Sequence, residues 1–107
     1  MFNFLKYFRY GGRSWKWKDV RKKHLETQNS CQACGREDNL EVHHIVPVHV
    51  DENKELDPTN LITLCGKTCH LMFGHLMDYK SWNPNVEEDS NLYLSKIKKR
   101  PYHDKSN

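Results

Sequence analysis

Four cysteines in two short-range pairs constrain this chain more than anything else in it: Cys31-x2-Cys34 and, thirty residues on, Cys65-x3-Cys69. Each pair supplies half of a tetrahedral four-thiolate site, and a zinc ion bound there contributes folding free energy outright. The chain needs such a staple. Its 107 residues are 36% apolar and 29% charged, with a single alanine and a mean hydropathy of −0.93, which leaves a one-domain core lean. Two other readings are free buried thiols and a Cys31–Cys34 redox couple. A redox couple leaves Cys65 and Cys69 unexplained, and no βαβ pattern surrounds it. The second pair is one residue longer than the usual knuckle, so a wider turn is predicted there, with Gly66 to supply it.

The length suits one domain. No run of 18 apolar residues exists, which excludes a membrane-spanning helix. The aromatic N-terminus (Phe2, Phe4, Tyr7, Phe8, Tyr10) is broken by Lys6 and Arg9 and lacks the apolar core of a signal peptide. A reduced, cytoplasmic chain is therefore expected, in which cysteines hold metal instead of pairing. The net charge of +3 conceals an asymmetry: +6 over residues 1–30, −7 over 31–95 and +4 over 96–107. Basic ends around an acidic middle suit phosphate contacts, because lysine and arginine release counterions from nucleic acid. The same charges also suit a plain solvated surface.

Residues 1–13 read as an aromatic, basic segment with a break at Gly11-Gly12, residues 14–95 as the folded domain, and 96–107 as a basic, partly disordered tail. From Trp15 to Gln28 there is neither Gly nor Pro, and Trp17, Val20, His24 and Leu25 share a face, which predicts a basic amphipathic helix. Strands are predicted over Leu40–Val48 and Leu61–Leu64, separated by a polar loop from His49 to Thr59. A helix is predicted from His70 to Lys80, ended by Asn83-Pro84, with residues 85–95 acidic and irregular.

Seven histidines are dense for this length, and four of them cluster in sequence with Asn60: His43-His44, then His70-x4-His75. Adjacent histidines on a strand face opposite ways, so one imidazole can meet a metal while its neighbour meets a water or a partner. On an α-helix, residues five apart lie about 140° apart in angle. Either His70 precedes the helix, or one of His70 and His75 is not a ligand.

Taken in order, Cys31-x2-Cys34-Gly35, Leu40-Glu41-Val42-His43-His44-Ile45-x-Pro47, Asn60-Leu61-Ile62-Thr63-Leu64-Cys65 and Cys69-His70 with the later His75 resemble the HNH endonuclease family. The closest likeness is to its zinc-stapled branch of small phage and bacterial nucleases. The resemblance runs from about Trp15 to Val86 and implies a small α+β fold: a ββα-metal finger with a four-cysteine zinc knuckle and a basic N-terminal helix. By position it implies that His44 is the general base, that His43, His70 and His75 hold a divalent metal, and that Asn60 orients the base. Asn60 also suits a plain turn cap. The implied setting is the cytoplasm of a bacterium or of a phage-infected host.

Phosphodiester hydrolysis needs an activated water and a cation at the scissile phosphate, and a histidine titrating near neutrality suits the first task. Three imidazoles suit Mn²⁺, Co²⁺, Ni²⁺ or Zn²⁺ better than Mg²⁺, whereas a site without His75 moves toward Mg²⁺; Mg²⁺ or Mn²⁺ is the expected catalytic ion beside the structural Zn²⁺. Double-stranded DNA is the expected substrate. It would be held by Lys16, Lys18, Arg21, Lys22 and Lys23 on the first helix and by Lys98, Lys99 and Arg100 in the tail. Trp15 and Trp17 suit base stacking or core packing. No sequence-reading module is recognisable, so targeting would rest on weak preference or on a protein partner. A non-catalytic zinc-binding module on the same fold is the competing reading, and an RNA-directed or toxin-type nuclease is a third. Oligomeric state has no signature in the sequence.

Overall fold

In the computed structural model, which describes residues 9–10 and 13–103, a two-residue ribbon of β1 (Arg9–Tyr10) and β2 (Arg13–Ser14) leads into helix α1 (Trp17–Thr27). Strands β3 (Leu40–His44) and β4 (Leu61–Cys65) follow, then a π-helical turn (His70–Gly74) and helix α2 (Val86–Lys98). Strands β3 and β4 pair antiparallel, with Leu40 opposite Cys65 and His44 opposite Leu61. All five residues of β4 are buried, as a strand covered on both faces must be. Its one polar side chain, Thr63, is satisfied by Gln28 just beyond α1: Thr63 Oγ1 donates to Gln28 O at 2.8 Å, and the Thr63 backbone N–H donates to Gln28 Oε1 at 2.6 Å. That contact fastens α1 to the sheet, since α1 itself has no fully buried residue.

The α+β fold expected from the sequence forms, around a core whose composition is telling. Its buried cluster comprises Cys31, Ala33, Ile62, Leu64, Cys65, Cys69 and Val86. Cysteines thus supply nearly half of the apolar centre, so the metal knuckle and the core are one object.

Three expectations need correction. Strand β3 ends at His44 instead of Val48, because the Asn60 side chain takes both backbone groups of Val46. Asn60 Oδ1 accepts from Val46 N–H at 2.8 Å, and Asn60 Nδ2 donates to Val46 O at 3.0 Å. The chain then turns through Pro47, whose carbonyl accepts from Val50 and Asp51, into two 3-10 turns capped by Asp51 and Asp57. The helix predicted over 70–80 is one π-helical turn, stopped where Leu76 (φ 53°) and Met77 (φ 71°) enter the left-handed region. The acidic segment 85–95 is helical. Glu87, Glu88 and Asp89 form the first turn of α2, where carboxylates complement the helix dipole, and Val86 and Ser90 face inward. Helix α2 carries on to Lys98, so the tail is helical at its start. The aromatic segment 1–8, the Gly11-Gly12 break and residues 104–107 lie outside the described residues.

Candidate active site

The four thiols converge as their spacing requires. Their Sγ atoms all lie within 4.8 Å of one another, and Cys34 and Cys65 are 3.8 Å apart. A tetrahedron with Zn–S bonds of about 2.3 Å has edges of about 3.8 Å, so the cluster fits a tetrahedral thiophilic metal such as zinc. In the knuckle the Cys34 amide donates to Cys31 Sγ at 3.4 Å and the Gly35 amide to Cys31 O at 2.9 Å. The extra residue in Cys65-x3-Cys69 is absorbed at Lys67, whose φ is 66°, and not by a left-handed glycine at 66. Burial acts to raise the Cys65 thiol, but hydrogen bonding with Thr68 and the Cys69 amide brings it down to about 7. Burial and neighbouring thiols push Cys34 and Cys69 up. Thiols this close resist joint ionisation until a cation is present.

A second convergence lies at the other end of the same elements. His43, at the end of β3, meets His70 and His75 from the π-helical turn and its C-terminus. His70 Nε2 is 3.0 Å from His43 Nδ1 and 3.2 Å from His75 Nε2. Hydrogen bonding five residues apart widens the turn and brings residues 70 and 75 to one side. The x4 spacing, awkward on an α-helix, is thereby resolved by a π turn that neither sequence alternative anticipated. Gly74 makes room for the rings: a Cβ there would sit 3.0 Å from His43 Cε1 and 3.1 Å from His70 Cδ2.

The outer nitrogens fix the inner ones. His75 Nδ1 donates to Ser81 O at 2.8 Å, and His70 Nδ1 faces Glu41 Oε1 at 3.1 Å. Both acceptors are oxygens without a proton to give, so both Nε2 atoms present lone pairs. Two lone pairs 3.2 Å apart repel unless a cation lies between them. The arrangement therefore fits a metal ion bound by His43, His70 and His75, each ligand neutral as binding requires. Burial, and then the nearby His70, His75 and His44, push His43 down to about 3, so it is neutral at physiological pH.

His44 points the other way along β3, as the alternation predicts. Its ring stacks on Trp17 at 4.6 Å between centroids, and its Nε2 donates to Glu55 O at 2.8 Å. That bond leaves Nδ1 as the basic nitrogen. Burial holds the imidazole below the ordinary histidine range; the Glu55 carbonyl opposes this and the positive charge of Arg13 adds to it. Both faces of the strand end meet in one cavity of about 490 Å³, lined by Arg13, His43, His44, His70, His75 and Trp82 among others.

Among the described residues, Asn60 makes no hydrogen bond with a histidine. Buried at the end of the loop, it donates to Lys54 O at 3.1 Å as well as binding both backbone groups of Val46. It braces the segment whose next residue, Glu55, holds His44. The basic residues are placed less evenly. Lys16, Lys18, Arg21, Lys22 and Lys23 are exposed on and just before α1, and Lys98, Lys99 and Arg100 are exposed at the end of α2; none of these eight lines the histidine cavity. Trp17 packs on His44, while Trp15 is exposed with Lys16 Nζ 5.4 Å from its ring centre.

Three residues at the site escaped the sequence. Arg13 lines the cavity and, among the described residues, makes no ion pair. Glu55, buried in a loop that reads as solvated, accepts from Ser14 N–H at 2.7 Å and so ties β2 to the site. Glu41 reaches His70. Only Glu41 carried a usable signal, its i, i+2 relation to His43 on a strand.

No curated protein and no solved structure matches this chain. Residues 31–75 match the family model described as HNH endonuclease, a span that opens at the first knuckle cysteine and closes on His75. Residues 31–75 thus carry the match to an HNH endonuclease domain, and the four cysteines gathered around one point fit the zinc-stapled branch of that family.

Proposed function

We propose that the protein is a metal-dependent endonuclease that hydrolyses phosphodiester bonds of double-stranded DNA, with zinc confined to the cysteine knuckle. The observation that carries this reading is the convergence, in one cavity, of three imidazoles, two of them with committed outer nitrogens, and a fourth whose tautomer is fixed for proton acceptance. A non-catalytic zinc module has no use for that arrangement.

His44 acts as the general base. Its Nε2–H is anchored on Glu55 O, so Nδ1 takes the proton of the attacking water, and stacking on Trp17 holds the ring plane. His43, His70 and His75 would hold a divalent cation, which would supply charge stabilisation for the phosphate and the leaving oxygen. Three nitrogen donors favour Mn²⁺ over Mg²⁺ at that position. Asn60 positions the base indirectly, through the loop that carries Glu55. Arg13, extended into the cavity without a carboxylate partner among the described residues, binds a phosphate oxygen. The lysines of α1 and the basic end of α2 hold flanking phosphates and supply affinity without sequence preference.

The test is incubation of supercoiled plasmid with zinc-loaded protein and Mn²⁺. Nicked or linear products that vanish on mild chelation and return with added Mn²⁺ support the reading. Binding of DNA without cleavage in Mn²⁺, Mg²⁺, Co²⁺ or Ni²⁺ overturns it in favour of a binding module.

A further inference from the structure

We propose that Glu41 is a positioning residue of the three-histidine site: its carboxylate fixes the tautomer and orientation of His70 and thereby sets the site's affinity for its metal. The inference rests on the reading of His43, His70 and His75 as ligands. Glu41 and His43 are two residues apart on β3 and so lie on one face of the strand. His70 bridges them, with Nδ1 3.1 Å from Glu41 Oε1 and Nε2 3.0 Å from His43 Nδ1. A carboxylate has no proton to give, so this contact forces the hydrogen onto Nδ1 and turns the Nε2 lone pair toward the other two rings. It also raises the donor strength of the imidazole, as outer carboxylates do for metal-bound histidines.

The backbone is built around this contact. A Cβ on Gly66 would lie 2.7 Å from Glu41 Oε1 and 2.9 Å from Glu41 Cδ. Gly66 follows the zinc ligand Cys65 and is held to Asn39 by a 2.7 Å backbone bond. The absent side chain at 66 is the space in which the carboxylate rests. The two other rings are fixed by different means. His75 donates to the Ser81 carbonyl, and His43 is wedged against Gly74 with a buried Nε2 that has no partner among the described residues. Among these three ligands, His70 alone is oriented by a charged group.

The test is titration of zinc-loaded protein with Mn²⁺, free ion being read by electron paramagnetic resonance. Mn²⁺ is too hard to displace zinc from four thiolates. Glu41→Ala should weaken Mn²⁺ binding by about 10–100-fold, and Glu41→Gln, which keeps an acceptor oxygen, should recover part of the loss. Gly66→Ala keeps Glu41 but displaces its carboxylate, and should weaken binding in the same direction with zinc content unchanged. In a His70→Ala background, Glu41→Ala should cost nothing more. Nitrogen NMR of the wild-type protein gives a check independent of any variant, since His70 should carry its proton on Nδ1. Wild-type affinity in Glu41→Ala, or a His70 protonated on Nε2, overturns the proposal and leaves the nuclease reading standing. Failure of the wild-type protein to bind Mn²⁺ at all removes both.

Discussion

At the scale of single residues, two adjacent histidines meet opposite surroundings because strand geometry sends them apart. His43 is buried among other imidazoles and stays neutral; His44 is held by a carbonyl on one side and a tryptophan face on the other. Burial holds His44 below the ordinary histidine value of 6.5, and a general base works only when unprotonated. The rate should therefore rise with pH at slope one and level off at a midpoint below 6.5. A pH profile of kcat/KM on plasmid substrate checks this, and a midpoint above 7 would contradict the assignment. The histidines were legible in the sequence because the motif spacing carries them. Arg13 and Glu55 were not, since a lone arginine before a helix and a glutamate in an acidic loop look like solvated charge. What distinguishes Glu55 is a contact with Ser14, forty-one residues away in sequence, which no local pattern encodes.

At the scale of elements, the π-helical turn is what brings His70 and His75 together, and it was misread as an ordinary helix. Apolar residues at 71, 73, 76 and 77 suit α-helical periodicity, but the chain takes a π turn there and His70 and His75 come to within 3.2 Å of each other. The turn ends on Leu76 and Met77, both in left-handed conformation and both exposed. Such backbone costs about 1–2 kcal/mol for a residue with a Cβ. Met77→Gly should leave stability unchanged or raise it by up to about 1 kcal/mol, whereas the β-branched Met77→Val should lower it by about 1–2 kcal/mol. Urea unfolding of the zinc-loaded variants decides this, and a clear loss in Met77→Gly would show that the methionine packs against something. Helix α2 was missed for the opposite reason. Its acidic first turn reads as a loop until Val86, Ser90 and Leu94 are seen to recur at helical spacing beneath it.

For the molecule as a whole, the fold was legible chiefly because the cysteine spacing states where the core must be. Cys31, Cys65 and Cys69 belong to the buried cluster, with few large aliphatic side chains beside them. Removal of zinc by a strong chelator, or Cys34→Ala, should therefore unfold the domain, as read by circular dichroism; a folded protein after verified zinc loss would contradict the account. Acid should act in the same direction. With His43 pushed down to about 3 in the folded state, the unfolded chain binds the extra proton below about pH 6.5. That stability is fully present above pH 6.5 and is lost as pH falls toward 3, on the order of a few kcal/mol. The basic surfaces at the two ends were legible as charge but not as geometry, because the distance from α1 to the cavity depends on Gln28 meeting Thr63.

The central claim is that metal binding and proton abstraction fall to different histidines of one cavity. The most direct test measures Mn²⁺ binding and plasmid cleavage on the same zinc-loaded preparations of wild type, His43→Ala and His44→Ala. His44→Ala should bind Mn²⁺ as the wild type does yet cleave about 10²–10⁴-fold more slowly, while His43→Ala should lose both binding and cleavage. Cleavage at the wild-type rate by His44→Ala, or loss of its Mn²⁺ binding, would contradict the division of labour.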